Sequence, residues 1–345
     1  MTSRAARMEE SRDRRPGALA RYLGQGRVGW FSISNNTLRR RYALANSRWL
    51  DVGGGMVHYT DEGPADAPTL VLIHGFAASL HTWQGITAML ALRYRVIRVD
   101  IPPFGLTGPL RDERGKPVTM DLDRYRDFVD RLVAALRIRR ATFIGNSLGG
   151  FLAWDLAVRR PDLIDKLVLI DAAGFPMKLP IYIDLFRHAL VRWTSPWLLP
   201  EFVIRAATRD VYGDRASVPE ATYRRYVDFF YGKGVREAIG RMVPKLDFDA
   251  APTHLLQAIE APTLVLWGGQ DRWIPPSHAQ LFASAIPGAR LCRYEQLGHI
   301  PMEEDPRSVL ADLLPFLQGR HGELDGPEGE CGETSESKEE SSDHP

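Results

Sequence analysis

The stretch "ATFIGNSLGGFLAW", residues 141–154, sets one serine, Ser147, between Gly145 and Gly149. Two readings compete. Either the serine caps the following helix, or the glycines make room for a turn that holds its hydroxyl out as a nucleophile. A serine hydroxyl needs a base to take its proton during attack, commonly a histidine oriented by a carboxylate. Of nine histidines, His321 and His344 fall in an acidic C-terminal segment, His188 in a helical stretch and His58 in an early hairpin. His74, in "HGFAASL", reads as support for its own loop. His299, in "EQLGHIPMEEDP", stands between a strand and a helix and is the candidate base. For the carboxylate, Asp271 in "LWGGQDRWIP" is preferred to its competitor Asp171 in "LVLIDAAG", on the order Ser, Asp, His along the chain. A tetrahedral intermediate also needs hydrogen-bond donors for its oxyanion. The backbone N–H of Leu148, next to the serine, and that of Phe76, after His74-Gly75, are the candidates.

These residues need elements to position them. "WLDV" and "MVHYTDEG" around Gly53, Gly54 and Gly55 predict a β-hairpin. Continuous apolar runs at 69–75, 94–100, 141–145 and 166–171 predict strands buried on both faces, and 262–268 and 289–295 resume the pattern. Helical stretches are expected at 82–92, 121–137, 147–159, 277–286 and 306–317. Such alternation means parallel strands joined by right-handed crossovers. Ser147, Asp271 and His299 then all leave the carboxyl ends of strands.

Residues 175–250 show no convincing strand. "DLFRHALVRW" places Phe186, Leu190 and Trp193 on one helical face, and "TYRRYVDFFYG" does the same with Tyr223, Tyr226, Val227 and Phe230. The segment reads as a helical insertion after the sixth strand. The α/β core is then 49–174 plus 251–320, with a basic arm at 1–48 and a disordered acidic tail at 321–345. Charge is concentrated in those ends: 1–48 carries eleven Arg against Glu9, Glu10 and Asp13, and 321–345 carries nine Asp or Glu against Lys338. The body between them is close to neutral, which argues against a nucleic-acid footprint there. Cys292 and Cys331 sit in no metal-ligand spacing, and no Gly-rich phosphate loop occurs, so neither metal nor cofactor is implied. "GALARYLGQGRVGWFSIS" is too polar for a membrane span or a signal-peptide core, but its Leu, Tyr, Trp and Phe beside arginines suit a weak hold on an anionic membrane surface.

With "HGF", "GNSLGG", "GGQDRWIP" and "GHIPMEEDP" in that order, residues 49 to 318 resemble the α/β-hydrolase-fold serine hydrolases. The resemblance implies a mostly parallel central sheet flanked by helices and a cap over the catalytic residues. Ser147 separates the chain from members with an aspartate nucleophile, and Pro103 in "DIPPFGLTG" replaces a glycine usual in similar proteins. The leading expectation is hydrolysis of small apolar carboxylic esters through an acyl-enzyme on Ser147. The near alternative is a carbon–carbon bond hydrolase of the meta-cleavage-product type, which "GNSLGG" also resembles. That group tends to have a tryptophan after the catalytic histidine, where this chain has Ile300. A third class, a ligand-binding protein on a hydrolase fold, is separated from both by fluorophosphonate labelling.

Overall fold

The hairpin forms where the glycines predict it, β1 (Ser47–Asp51) against β2 (Met56–Glu62), with Leu50 opposite Val57. The structure, a computed structural model, describes residues 32–319. The acidic tail at 321–345 and the first 31 residues of the basic arm lie outside them. β2 pairs antiparallel with β4 (Arg95–Val99). From there β3 (Thr69–Ile73), β4, β5 (Ala141–Asn146), β6 (Ile164–Ile170), β7 (Thr263–Gly268) and β8 (Arg290–Tyr294) run parallel. The eight strands lie in the order β1-β2-β4-β3-β5-β6-β7-β8.

The period-2 geometry of a strand divides each apolar run between two cores. Val71 and Ile73 of β3 face one core; Leu70 and Leu72 face the other. β6 repeats the division with Leu167 and Leu169 against Val168 and Ile170. Helices cover both faces, which is why these strands read as unbroken hydrophobic runs. α1 (Asn35–Tyr42) precedes the sheet, and α2 (Gln84–Leu90), α3 (Leu122–Ala135) and α4 (Leu148–Arg159) follow in chain order. The expected helix at 82–92 opens as a 3-10 turn, Leu80–Trp83, before α2.

The arm drawn over 1–48 needs correcting at its C-terminal end. α1 is a docked helix, capped by Ser34, whose side chain accepts from Thr37 N–H at 3.2 Å. Leu38 is buried with Phe229, and Arg41 and the Tyr42 hydroxyl both reach Asp228 at 2.9 Å. Leu38 and the Tyr42 ring, packed on the Phe229 cluster, and a distant carboxylate hold it, and that partner is invisible to a local reading of charge.

Between β6 and β7 the chain is helical, as expected: α5 (Ala189–Leu198), α6 (Glu201–Asp210), α7 (Glu220–Phe230) and α8 (Val235–Met242). α9 (Ser277–Ala285) and α10 (Pro306–Leu317) complete the fold. One expected face is not there. Phe186 sits in a 3-10 turn, Leu185–Arg187, and His188 is extended (φ −80°, ψ 130°), so the turn and α5 are separate pieces. Phe186 is buried, whereas Leu190 and Trp193 are 70% and 69% exposed. A break of one residue rotates the two halves independently.

Candidate active site

β5 delivers Ser147 into a backbone conformation that L side chains rarely adopt (φ 56°, ψ −119°). Holding it there costs on the order of 1–3 kcal/mol, which the surrounding packing must offset. The serine side chain makes no capping bond to α4, so the helix-cap reading of the sequence fails. The flanking glycines are required by contact. A Cβ on Gly145 would lie 2.2 Å from the carbonyl oxygen of Gly149, and one on Gly149 would lie 2.1 Å from that of Ile73. The loop after β3 presses on the serine as well, since a Cβ on Gly75 would come 2.8 Å from that of Ser147. Phe76 follows in that loop, and Phe76, Ser147 and Leu148 line one cavity.

Asp271 and His299 leave β7 and β8 on adjacent loops and are both buried. His299 Nδ1 donates to Asp271 Oδ2 at 2.7 Å, which leaves the lone pair on Nε2. The other oxygen, Oδ1, accepts from the N–H groups of Trp273 (2.7 Å) and Ile274 (3.0 Å), fixing the carboxylate. The Trp273 ring stacks on the imidazole at 5.6 Å, and Asn146 Nδ2 donates to the His299 carbonyl at 2.9 Å, tying the histidine loop to the residue before Ser147. Asn146 and Trp273 lie inside the motifs of the serine and the aspartate, but nothing in their spacing announces these contacts.

The competing carboxylate, Asp171, is at the site too. With φ 45°, it accepts from Gly268 N–H at 2.8 Å through Oδ1, while Oδ2 is buried without a donor. Burial first, and then the charge of Asp271, push its carboxyl well above the ordinary range. Both causes favour the neutral form, which adds no second negative charge beside Asp271. Among the described residues, Asp171, Asp271 and His299 form the group whose ligand atoms lie close enough to share an ion, within 4.8 Å of one another. The 2.7 Å contact between Nδ1 and Oδ2 is a hydrogen-bond length and suits a proton between them.

Other candidates behave structurally. His74 donates from Nδ1 to the Gly75 carbonyl (2.8 Å) and accepts at Nε2 from Ile101 N–H (3.0 Å), and burial pulls its pKa down. It supports the loop that carries Phe76, as expected. His58 is likewise fully buried, between Asp100 and Ser47 at 2.7 Å each.

Glu304 carries no signal of its own in the sequence. Its two oxygens accept from Gly298 N–H and Gly213 N–H, each at 2.7 Å, and the neighbouring His299 N–H donates to the Val211 carbonyl at 2.7 Å. These bonds clamp the histidine loop to the turn that follows α6. Burial is the main cause that pushes the Glu304 carboxyl up to about 7. A raised carboxylate pKa means that the folded state binds the proton more tightly than the unfolded chain. The associated stability is therefore complete below about pH 4.5 and is lost as pH rises through about 7. On the order of 1–2 kcal/mol is expected to be lost across that window in the native protein and not in Glu304→Gln. Thermal unfolding of both between pH 4.5 and 8 measures it; parallel pH profiles would show that Glu304 is not the titrating group.

Two apolar cavities meet at Phe76, Ile183 and Trp273. One holds Ser147, Leu148, Met177, Leu246 and Phe248; the other holds His299, Asn146, Phe186, Leu199, Ile204 and Phe230. Among the described residues, no Lys or Arg lines either. Three arginines of the helical segment are engaged elsewhere: Arg205 with Glu220, Arg209 with the Tyr223 hydroxyl, Arg192 with backbone carbonyls. Of the two aromatic faces expected there, Tyr226 and Phe230 reach the cavity, and from the other only Phe186 does.

Comparison with known proteins agrees with this architecture. An uncharacterized protein of Mycobacterium tuberculosis is 30% identical over 272 residues, 72% of this chain and 75% of that one. A 2-hydroxy-6-oxononadienedioate/2-hydroxy-6-oxononatrienedioate hydrolase of Paraburkholderia phymatum is 28% identical, covering 79% of this chain and 96% of that protein. Among solved structures, a bacterial membrane phospholipase A superposes with a TM-score of 0.63 at 28% identity, over 79% of this chain and 86% of that one. The model of the alpha/beta hydrolase fold matches residues 68–306, the span that holds Ser147, Asp271 and His299. With that match and this sheet, the chain belongs to the alpha/beta hydrolase fold family.

Proposed function

We propose that the protein hydrolyses carboxylic esters of uncharged acyl groups through an acyl-enzyme on Ser147. His299 Nε2 takes the hydroxyl proton as Oγ attacks the ester carbonyl, and Asp271 stabilises the imidazolium. The N–H groups of Phe76 and Leu148 hold the oxyanion. Collapse breaks the ester C–O bond, and the imidazolium gives its proton to the departing alcohol. Water, deprotonated by His299, then attacks the acyl carbonyl; the acid leaves and Ser147 regains its proton. The helical segment acts as a cap that closes the two cavities over the nucleophile, one for the acyl chain and one for the alcohol. No step draws on a metal or cofactor.

The observation that supports this reading is the cavity lining, apolar on both sides and, among the described residues, without Lys or Arg. A dianionic dienoate would need fixed cations beside the nucleophile, because burying an unpaired carboxylate is costly. The Paraburkholderia relative keeps that carbon–carbon reading as the second one. Initial rates on aryl esters of increasing acyl length, a lactone and a dienoate ring-cleavage product separate the two. Each buried methylene contributes up to about 0.8 kcal/mol, so kcat/KM is expected to rise up to about fourfold per carbon until the cavity is full. Cleavage of the dienoate orders of magnitude faster than every ester would overturn the ester reading.

A further inference from the structure

α5 has an apolar side that no other described residue covers. Leu190, Trp193, Trp197, Leu198 and, at the start of α6, Phe202 are all exposed, and only Ser195 and Pro196 of α5 are buried. Trp193 and Trp197 stand one turn apart with their rings edge to face at 6.2 Å. Single exposed apolar residues are ordinary, but several together on one surface mark a contact with something apolar.

The surroundings select the partner. The surface groove that holds both tryptophans is flanked by Arg192, Arg241 and Lys245 against one acid, Glu237. Between Asp184 and Glu201 the sequence has no acidic residue but includes Arg187 and Arg192. Ile33 enters the same region: its N–H donates to the Tyr231 carbonyl at 2.8 Å, and its side chain packs on the cluster of Ile204, Val227 and Tyr231 that Leu199, just after α5, also covers. The described chain therefore begins near this patch, and the 31 residues that precede it in sequence carry seven arginines against three acids and end in Trp30-Phe31. Tryptophans at the surface, ringed by cations, are the composition that seats at the headgroup boundary of an anionic bilayer.

We propose that the outer face of α5 and the start of α6 dock on an anionic lipid surface. This gives the membrane contact expected of the N-terminal arm a folded partner. It does not depend on the ester chemistry, although Leu198 and Leu199 are neighbours that face the lipid side and the cavity respectively. The test is co-sedimentation of the full chain with vesicles of phosphatidylglycerol and phosphatidylcholine, and with phosphatidylcholine alone. Wild type is expected to bind the mixed vesicles, less as salt is raised. Trp193→Gln/Trp197→Gln, and separately Leu190→Gln/Phe202→Gln, are expected to bind about tenfold less or weaker, with unchanged melting temperature and unchanged hydrolysis of a soluble short ester. Absence of vesicle binding by wild type, or equal binding by both variants, overturns the proposal; the second result would leave the arm as the sole anchor. Conversion from dimer to monomer by the variants, without vesicle binding, would make a second copy of the chain the occupant and overturn it too. Equal binding to phosphatidylcholine alone overturns the anionic component.

Discussion

Ser147→Ala is expected to lower kcat by about 10³-fold or more while leaving the melting temperature unchanged. The two halves of that result have separate causes. The hydroxyl makes no cap bond to α4, so its loss removes no helix-stabilising contact. Alanine also keeps a Cβ and therefore keeps the strain of φ 56°. Ser147→Gly supplies the complement: equally inactive, but more stable, because glycine adopts a positive φ without that strain. Steady-state rates on an aryl ester with thermal unfolding of both variants check the pair. A folded Ser147→Ala protein with most of its activity would remove Ser147 from the mechanism. A Ser147→Gly variant with no gain in stability would mean that the turn is not held under strain.

The second large effect divides the two buried aspartates. Asp271→Asn is expected to cost about 10³–10⁴-fold in kcat. Asn at 271 has one oxygen, which the N–H groups of Trp273 and Ile274 already claim. Its amide would then face His299 Nδ1 as a donor, forcing the proton onto Nε2 and removing the base. Asp171→Asn is expected to stay within about tenfold of wild type. Burial and the Asp271 charge favour the neutral form of that carboxyl, and an amide is its uncharged isostere, with an oxygen that can still accept from Gly268 N–H. Both variants are compared by kcat, with thermal unfolding to show that each is folded. If Asp171→Asn is the inactive protein, the carboxylate that serves His299 has been misassigned. His299→Ala is expected to match the loss at Ser147, because the two act as one unit.

Much of this molecule is written locally. The strand runs, the Gly-rich hairpin and the alternation of strand and helix are properties of short windows, so the mostly parallel sheet follows from sequence. Gly145, Ser147 and Gly149 also announce their turn, because the contacts that forbid a Cβ there come from the adjoining helix and the neighbouring strand that the motif presupposes. Asp271 and His299 are legible as loop residues at strand ends for the same reason. Other features are decided only when distant segments meet. Asp171 and Asp271 look equivalent along the chain; which of them holds His299 depends on where β6 and β7 aim their loops. Glu304 gains its role from Gly213, ninety-one residues away. Helical periodicity put Phe186, Leu190 and Trp193 on one face, and a single extended residue, His188, sends Phe186 inward and the other two outward. The spacing of apolar residues shows that a helix has an apolar face, but the partner that face meets is set by the packing of the whole chain.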